Sequence, residues 1–303
     1  MPGTGYAEPL GELRCDLGES PIWDERRSCL WGIDVTAPAI WRMTLDGRHH
    51  SIPIERPIGA LALSPKALVC VQRNQIRSYD PEENAFADLW RDDVFLGDQR
   101  FNDAGVDPAG ALWVGGMDRR VQAPLGSLFR FEGGVPAAFD AGFVLGNGLA
   151  WSPDARTQYF VDTYRSTVWR YPWAREEGLV GPRTLHARTE GPGHPDGCAI
   201  DEAGCLWVAM AGGGRIDRID PSGRVAESIR LPVSKPTSCA FGDADRRTLF
   251  ITTARMGLGE ATLHDEPGAG AVFAVRVTTP GLAQPFVTQS FTLSFTQSSQ
   301  ECK

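Results

Sequence analysis

The chain has 303 residues, of which 42% are hydrophobic and 22% are charged, and its formal net charge is −8. This composition is typical of a globular protein, and no run of about 18 apolar residues is present that could span a membrane. Because the net charge is negative and no Lys/Arg-rich block occurs, nucleic acid is not expected as the main partner.

The N-terminal residues and the cysteines favour a cytoplasmic location. Residues 1–9 contain no basic region followed by an apolar run, so a signal peptide is not expected. The seven cysteines include no CxxC pair, which favours buried thiols in a reduced compartment over a disulfide framework. The five histidines show no zinc-ligand spacing. We therefore expect a cytoplasmic monomer that binds neither membranes nor nucleic acid.

Six copies of one pattern follow one another along the chain. Each copy has a polar turn, then a short strand rich in large apolar residues, then a second strand that alternates apolar and polar residues. The turns and first apolar strands occupy residues 23–34, 63–72, 107–116, 152–163, 201–211 and 242–254. The alternating strands occupy residues 39–47, 75–83, 127–134, 167–174, 215–223 and 271–279. Since helical periodicity is weak throughout, an all-β chain is predicted.

Units of about four strands that recur every 40 to 50 residues or so are typical of propeller blades. The sequence therefore predicts a six-bladed β-propeller as a single domain over residues 9–287. We expect the segment Pro9–Asp16 to supply a strand that closes the ring with the last blade, because closure removes exposed sheet edges. A β-sandwich is the alternative, and it is less compatible because sandwiches do not repeat one motif six times.

Residues 288–303 depart from the repeat pattern. They are rich in Ser, Thr and Gln and contain no blade motif. A disordered end or a vector-derived extension is predicted, although the alternating residues 290–295 could add an edge strand.

One position in each repeat carries a notable set of residues. Five residues before the start of each turn stand, in chain order, Glu19, Gly59, Asn102, Asn147, Asp196 and Ser238. Equivalent positions of a ring face one another, and carboxylate and amide oxygens are suitable ligands for a divalent cation. Polar residues before turns also commonly cap local backbone groups, which could explain any one of these positions alone.

The three positions Glu19, Asn147 and Asp196, taken together at one register, favour a metal site over local capping. Asp103 and Asp107 are interpreted as structural residues that hydrogen-bond the backbone at the turn. Ser238 is interpreted as a residue that only lines the channel.

Five segments of the chain resemble the SMP-30/gluconolactonase/regucalcin-like family of sugar-lactone hydrolases, which are six-bladed propellers. The resemblance spans about residues 12–280, and two further segments, 231–242 and 268–275, are similar to bacterial xylonolactonase-like members. The five segments are LGESPIW (17–23), RFNDAGVDPAG (100–110), GNGLAWSPD (146–154), PDGCAIDEAGCLWVA (195–209) and TTARMGL (252–258).

The resemblance implies one divalent cation held by Glu19, Asn147 and Asp196, with Ca²⁺, Zn²⁺, Mn²⁺, Mg²⁺ and Fe²⁺ left open. It also implies that Arg100 and Asn102 bind sugar hydroxyls. Some members carry a substrate-binding Glu four residues before the glycine that opens the next strand. Here that position is Gln122, so its contact with substrate is left open.

The main hypothesis is a metal-dependent hydrolase of a small-molecule sugar lactone, such as xylono-, glucono- or arabinonolactone. Asp196 is the candidate general base that activates water, and the GxSxG motif of serine hydrolases is absent. One alternative is a non-catalytic, calcium-binding propeller, against which Arg100 and Asn102 argue because ion binding alone needs no arginine. The other alternative is a propeller hydrolase of other esters or organophosphates.

Overall fold

The computed structural model describes residues 6–92 and 96–291, which form six antiparallel sheets. A 3-10 turn at Thr163–Arg165 and a short helix α1 (Glu260–Asp265) complete the regular structure. In chain order the strands are β1 (Glu8–Pro9), β2 (Gly18–Asp24), β3 (Cys29–Asp34), β4 (Ala39–Met43), β5 (His49–Pro53), β6 (Ile58–Leu63), β7 (Leu68–Gln72), β8 (Gln75–Asp80), β9 (Ala85–Arg91), β10 (Gln99–Val106), β11 (Leu112–Asp118), β12 (Gly126–Glu132), β13 (Val135–Phe143), β14 (Gly146–Trp151), β15 (Thr157–Asp162), β16 (Thr167–Ala174), β17 (Gly178–Leu179), β18 (Thr184–Arg188), β19 (His194–Ile200), β20 (Leu206–Ala211), β21 (Arg215–Ile219), β22 (Val225–Arg230), β23 (Pro236–Gly242), β24 (Thr248–Thr253) and β25 (Phe273–Arg276).

The six sheets are the blades of a propeller, which confirms the predicted fold class. Blades 1 to 5 begin with β2, β6, β10, β14 and β19, and blade 6 begins with β23. The first strand of each blade contacts the first strand of the next, and β23 contacts β2. These six first strands therefore surround a central channel. We call the face where they begin the upper face and the face where they end in turns the lower face.

The ring is closed by the N-terminal segment, as predicted, but at a slightly earlier position. Strand β1 pairs antiparallel with β25, with Glu8 opposite Ala274 and Pro9 opposite Phe273, and so forms the outer strand of blade 6. Gly11 then adopts a left-handed conformation, with φ of +72°, which ends the strand. Closure thus combines the first and last blade segments in a single sheet.

The interior lies mainly between adjacent blades, where clusters of fully buried aromatic and aliphatic side chains pack. The six described cysteines are free; five of them are buried and Cys198 is half-buried, which confirms the interpretation as small core residues. In the described ranges, no helix has the length and apolar character needed to cross a membrane.

The polar turns of the repeat are stabilised by buried aspartates. The Asp107 carboxylate accepts hydrogen bonds from the backbone of Ala109 and Ala111, each at 2.9 Å, and from the indole of Trp113 at 2.8 Å. Asp201 makes the equivalent set of bonds in blade 5. The interpretation of Asp107 as a structural residue is confirmed, because its carboxylate satisfies donors that would otherwise be buried without partners.

Residues 282–291 run across the lower face. The backbone of Leu282 donates to Ile200 of blade 5, and that of Val287 donates to Leu63 of blade 2 at 2.7 Å. The backbone of Thr288 donates to Gly110 of blade 3 at 3.0 Å, and the ring of Phe291 lies 5.9 Å from that of Phe131. Residues 288–291 of the predicted tail therefore pack against blade 3. Residues 292–303, with most of the predicted edge strand, lie outside the described residues.

We expect Asp107→Ala to lower the free energy of unfolding by about 3 kcal/mol, because two buried donors and one partly buried donor lose their acceptor. Urea unfolding followed by tryptophan fluorescence measures the change. Asp154→Ala is the matched control, since Asp154 occupies an exposed turn of blade 4, where its carboxylate accepts hydrogen bonds from Ser152 and Arg156. Equal effects of the two substitutions would contradict the structural role of Asp107.

Candidate functional site

A one-residue bulge interrupts the first strand of every blade near its start. Because a bulge breaks the regular alternation of side chains, it can turn two successive residues towards the same side of a sheet. All six positions singled out by the repeat lie at or beside these bulges. The register shifts between Glu19 and Ile22, Ile58 and Ala60, Phe101 and Asp103, Asn147 and Leu149, Pro195 and Cys198, and Pro236 and Ser238.

Two amides of neighbouring blades are joined by a direct hydrogen bond. The Nδ2 of Asn102 donates to the Oδ1 of Asn147 at 2.7 Å and to the backbone oxygen of Gly146 at 3.1 Å. The Nδ2 of Asn147 in turn donates to the Oγ1 of Thr163 at 2.8 Å. These hydrogen bonds at its oxygen and its nitrogen determine the orientation of the Asn147 amide. The oxygen keeps a second lone pair for another ligand.

Three carboxylates, those of Glu19, Asp103 and Asp196, interact electrostatically at this level of the channel. Burial raises the pKa of Glu19 well above its usual range, and repulsion by Asp196 and Asp103 raises it further. Burial and repulsion by Asp103 do the same to the pKa of Asp196. Within the described ranges, no Lys or Arg side chain contributes to these shifts in pKa. Burial and mutual repulsion thus disfavour the charged forms of these carboxyl groups, and a bound cation would favour them.

These residues fit a divalent cation. Glu19, Asn147 and Asp196 offer only oxygen donors, which suit hard cations, and their uncompensated negative charge favours a positive ion. In residues 6–92 and 96–291, no three His, Cys, Asp or Glu side chains form a metal-ligand group. The candidate ligands are instead two carboxylates and one amide.

Asp103 has a larger part in this cluster than the sequence indicated. Its pKa is raised to about 6, because the effect of burial outweighs that of hydrogen bonds from the backbone N–H groups of Ala104 and Gly148, which lower the pKa. It thus bonds the backbone, as expected, but its charge also acts on Glu19 and Asp196. The bulge at Asn102 explains the difference, because strict alternation along a strand would place Asn102 and Asp103 on opposite faces. In the sequence, the position of Asp103 next to Asn102 is the signal that could indicate its part in the carboxylate cluster.

Arg100 lies beside the two amides. Its Nη1 donates to the backbone oxygen of Phe101 at 3.1 Å and to the Oδ1 of Asn102 at 3.4 Å. The structure thus brings Arg100, Asn102 and Asn147 together in one hydrogen-bonded series on the upper face. Gln122 lies in the connection between β11 and β12, where its backbone N–H donates to Asp118.

A cavity of about 420 Å³ occupies the channel below the carboxylates. Asp103, Cys198 and Ser238 line it at one end, and the segment 282–285 lines it at the other. Ser238 is therefore a channel-lining residue, as interpreted from the sequence. Glu19, Asn102, Asn147 and Asp196 are not part of its walls, which places the candidate site towards the upper face.

The sequence profile of the family described as SMP-30/Gluconolactonase/LRE-like region matches residues 17–255. The chain belongs to this family. It is 37% identical over 275 residues to the 6-deoxy-6-sulfogluconolactonase of Pseudomonas putida, which covers 89% of this chain and 94% of the relative. It is 33% identical over 270 residues to the regucalcin of Xenopus laevis, with 86% and 90% covered.

A solved structure of a family member supports the same assignment. The calcium-binding protein regucalcin of Agrobacterium tumefaciens superposes with a TM-score of 0.88 at 26% identity, over 95% of this chain and 98% of that one. The resemblance indicated by the sequence motifs is thus confirmed for the family. The narrower similarity to xylonolactonase-like members stays a prediction, since none of these three relatives is a xylonolactonase.

The region matched by the family contains all five predicted site residues. At the same repeated position as Asn102, blade 2 carries Gly59, and the reason for a glycine there is steric. A Cβ at Gly59 would lie 2.1 Å from the backbone oxygen of Asn102. The close approach of blades 2 and 3 therefore requires glycine at this position. Glycine allows β6 to pack directly against the backbone of Asn102 in β10.

We expect Gly59→Ala to destabilise the fold by about 2 kcal/mol, because the added methyl group overlaps backbone atoms that cannot rotate away. Thermal and urea unfolding measure this loss. Gly259→Ala is the control, since nothing lies within 4 Å of a Cβ built there and its φ is −76°. A Gly59→Ala protein as stable as this control would show that the two blades can separate without penalty.

Proposed function

We propose that this protein hydrolyses a sugar lactone to the aldonic acid with the help of one divalent cation. The observation that carries the proposal is the convergence of two uncompensated carboxylates and an oriented amide beside Arg100 and Asn102. Membership of the family supports it, and so do the relatives, of which one is named as a lactonase of a sulfonated sugar. Small-molecule lactones are thus the expected substrates.

Glu19, Asn147 and Asp196 would hold the cation through oxygen atoms. When bound, a divalent cation polarises a carbonyl and lowers the pKa of a bound water. The Asn102 side chain keeps the Asn147 oxygen in place through the 2.7 Å bond between the two amides. Arg100 and Asn102 would orient the ring hydroxyls, which raises the fraction of productive encounters.

Asp196 would act as the general base. It accepts a proton from the attacking water while the water oxygen adds to the carbonyl carbon. The bond between that carbon and the ring oxygen then breaks, and the proton passes to the ring oxygen to give the open-chain acid. Because burial and repulsion by Asp103 raise the pKa of the Asp196 carboxyl, its ionised form would accept this proton readily.

Two alternatives follow from the same geometry. A calcium-binding propeller without catalysis would use the oxygen ligands alone, as the name of the Agrobacterium relative suggests for that protein. A hydrolase of other esters or organophosphates would use the same cation with a different specificity. The cytoplasmic location, the monomeric state and the absence of nucleic acid and membrane partners stay predictions.

We expect metal-stripped protein to lose lactone hydrolysis and to regain it with one divalent ion. Xylono-, glucono- and arabinonolactone are assayed beside aryl esters and an organophosphate, each ion being added back in turn, and rates are compared with spontaneous hydrolysis. Turnover of esters but not lactones would favour the second alternative. Metal binding by calorimetry without turnover of any substrate would favour the first.

We expect Asp196→Asn to reduce kcat by at least about 100-fold, because the variant keeps the size of the side chain but loses the base. Circular dichroism and thermal unfolding test whether the fold is retained, and calorimetry tests the affinity for the ion. Asp154→Asn, at an exposed turn on the lower face, is the control. Full activity of Asp196→Asn would exclude the proposed site.

A further inference from the structure

Two arginines of neighbouring blades lie next to each other on the upper face. Arg73 stands in the turn between β7 and β8 of blade 2, and its side chain is exposed. The backbone oxygen of Arg73 accepts a hydrogen bond at 2.8 Å from the N–H of Phe101 in blade 3. Because Arg100 directly precedes Phe101, this bond holds the Arg73 turn against the segment that carries Arg100.

Neither arginine forms an ion pair with an acidic residue of the described ranges. The hydrogen bonds of the Arg100 guanidinium go to two neutral oxygens, those of Phe101 and Asn102. Burial lowers the pKa of Arg100 to about 10, and repulsion by Arg73 contributes to the same change. Arg100 therefore stays charged at neutral pH. Two adjacent guanidinium groups without a counter-ion form a receptor for an anion, since their N–H groups match its oxygens.

The position of Arg73 and Arg100 relative to the candidate metal ligands indicates which part of a bound lactone they would contact. The hydrogen-bonded series runs from Arg100 to Asn102 and then to Asn147. Asn102 thus lies between Arg100 and Asn147, which is one of the three candidate metal ligands. A lactone whose carbonyl lies at Asn147 and Asp196 would extend its other end past Asn102 towards Arg100 and Arg73.

We propose that Arg73 and Arg100 bind an anionic group on the end of the lactone that is remote from the carbonyl. This inference rests on the proposed function and narrows the substrate class to acidic sugar lactones. Sulfonate, phosphate and carboxylate share the required chemistry, which is a compact set of negatively charged oxygens. Arg100 would contact both the anion and the sugar, whereas Arg73 would act on specificity alone.

The test compares one neutral lactone with three acidic ones. The neutral substrate is glucono-1,5-lactone, and the acidic ones are 6-phosphoglucono-1,5-lactone, 6-deoxy-6-sulfoglucono-1,5-lactone and glucaro-1,4-lactone. The measured quantity is the ratio of kcat/KM for each acidic lactone to that for the neutral one. We expect the wild type to prefer at least one acidic lactone, and the preferred one identifies the anion.

We expect Arg73→Gln to lower this ratio about tenfold, mainly through KM, because one charge-assisted contact is lost. Arg73→Lys keeps the charge without the planar guanidinium and should retain part of the preference. The control is Arg224→Gln, which removes the same charge from an outer turn of blade 5 where the side chain is 82% exposed. Raising the salt concentration should reduce the preference of the wild type but not its rate on the neutral lactone.

A wild type that prefers the neutral lactone to all three acidic ones would overturn the inference and leave the lactonase function intact. The same conclusion follows if Arg73→Gln changes the ratio no more than Arg224→Gln. Failure of the wild type to hydrolyse any of the four lactones would reject the proposed function and this inference with it.

Discussion

The bulges in the six first strands are the constraint on which the arrangement of the candidate site depends. A regular strand would direct alternate side chains into the channel and the residues between them away from it. The extra residue in each strand changes this pattern at one level of the ring. Asn102 and Asp103 can therefore act on the same space, and the carboxylates of Glu19 and Asp196 come close enough to repel each other.

The upper face keeps opposite charges close without letting them neutralise each other. Arg100 donates a hydrogen bond to Asn102, and Asn102 donates one to Asn147, so the amide of Asn102 lies between Arg100 and a candidate metal ligand. A direct ion pair between the two groups would satisfy both charges and leave nothing for a ligand. The proposed cation and the proposed anionic group would then lie on opposite sides of the neutral Asn102 amide.

Ring closure and packing on the lower face stabilise the blades that carry the candidate site, although they do not contact it. The short strand β1 completes blade 6 as its outer strand and so joins the N-terminal segment to the last blade. Residues 282–291 connect blade 5 with blades 2 and 3 through backbone hydrogen bonds, and residues 282–285 line the end of the channel cavity. Buried aspartates such as Asp107 stabilise the turns at the same face. The strands that carry the site residues are therefore stabilised at their lower ends.

The sequence by itself determined the number of blades, the fold class and the register at which the oxygen-bearing residues recur. It could do so because equivalent positions of a repeat must face one another once the ring is closed. The same reasoning singled out Glu19, Asn147 and Asp196. It also indicated the family, since the motifs that carry these residues are local in the chain.

Only the tertiary structure decided which neighbours complete the site. Asp103 joins the carboxylates through a bulge that no local pattern encodes, and Arg73 reaches Arg100 through a backbone bond between two blades. The same holds for strand β1, which begins at Glu8 rather than Pro9, and for the packing of residues 288–291 on blade 3. Each of these features depends on contacts between segments far apart in the chain. Periodicity and composition describe neighbours along the sequence, whereas ring closure decides neighbours in space.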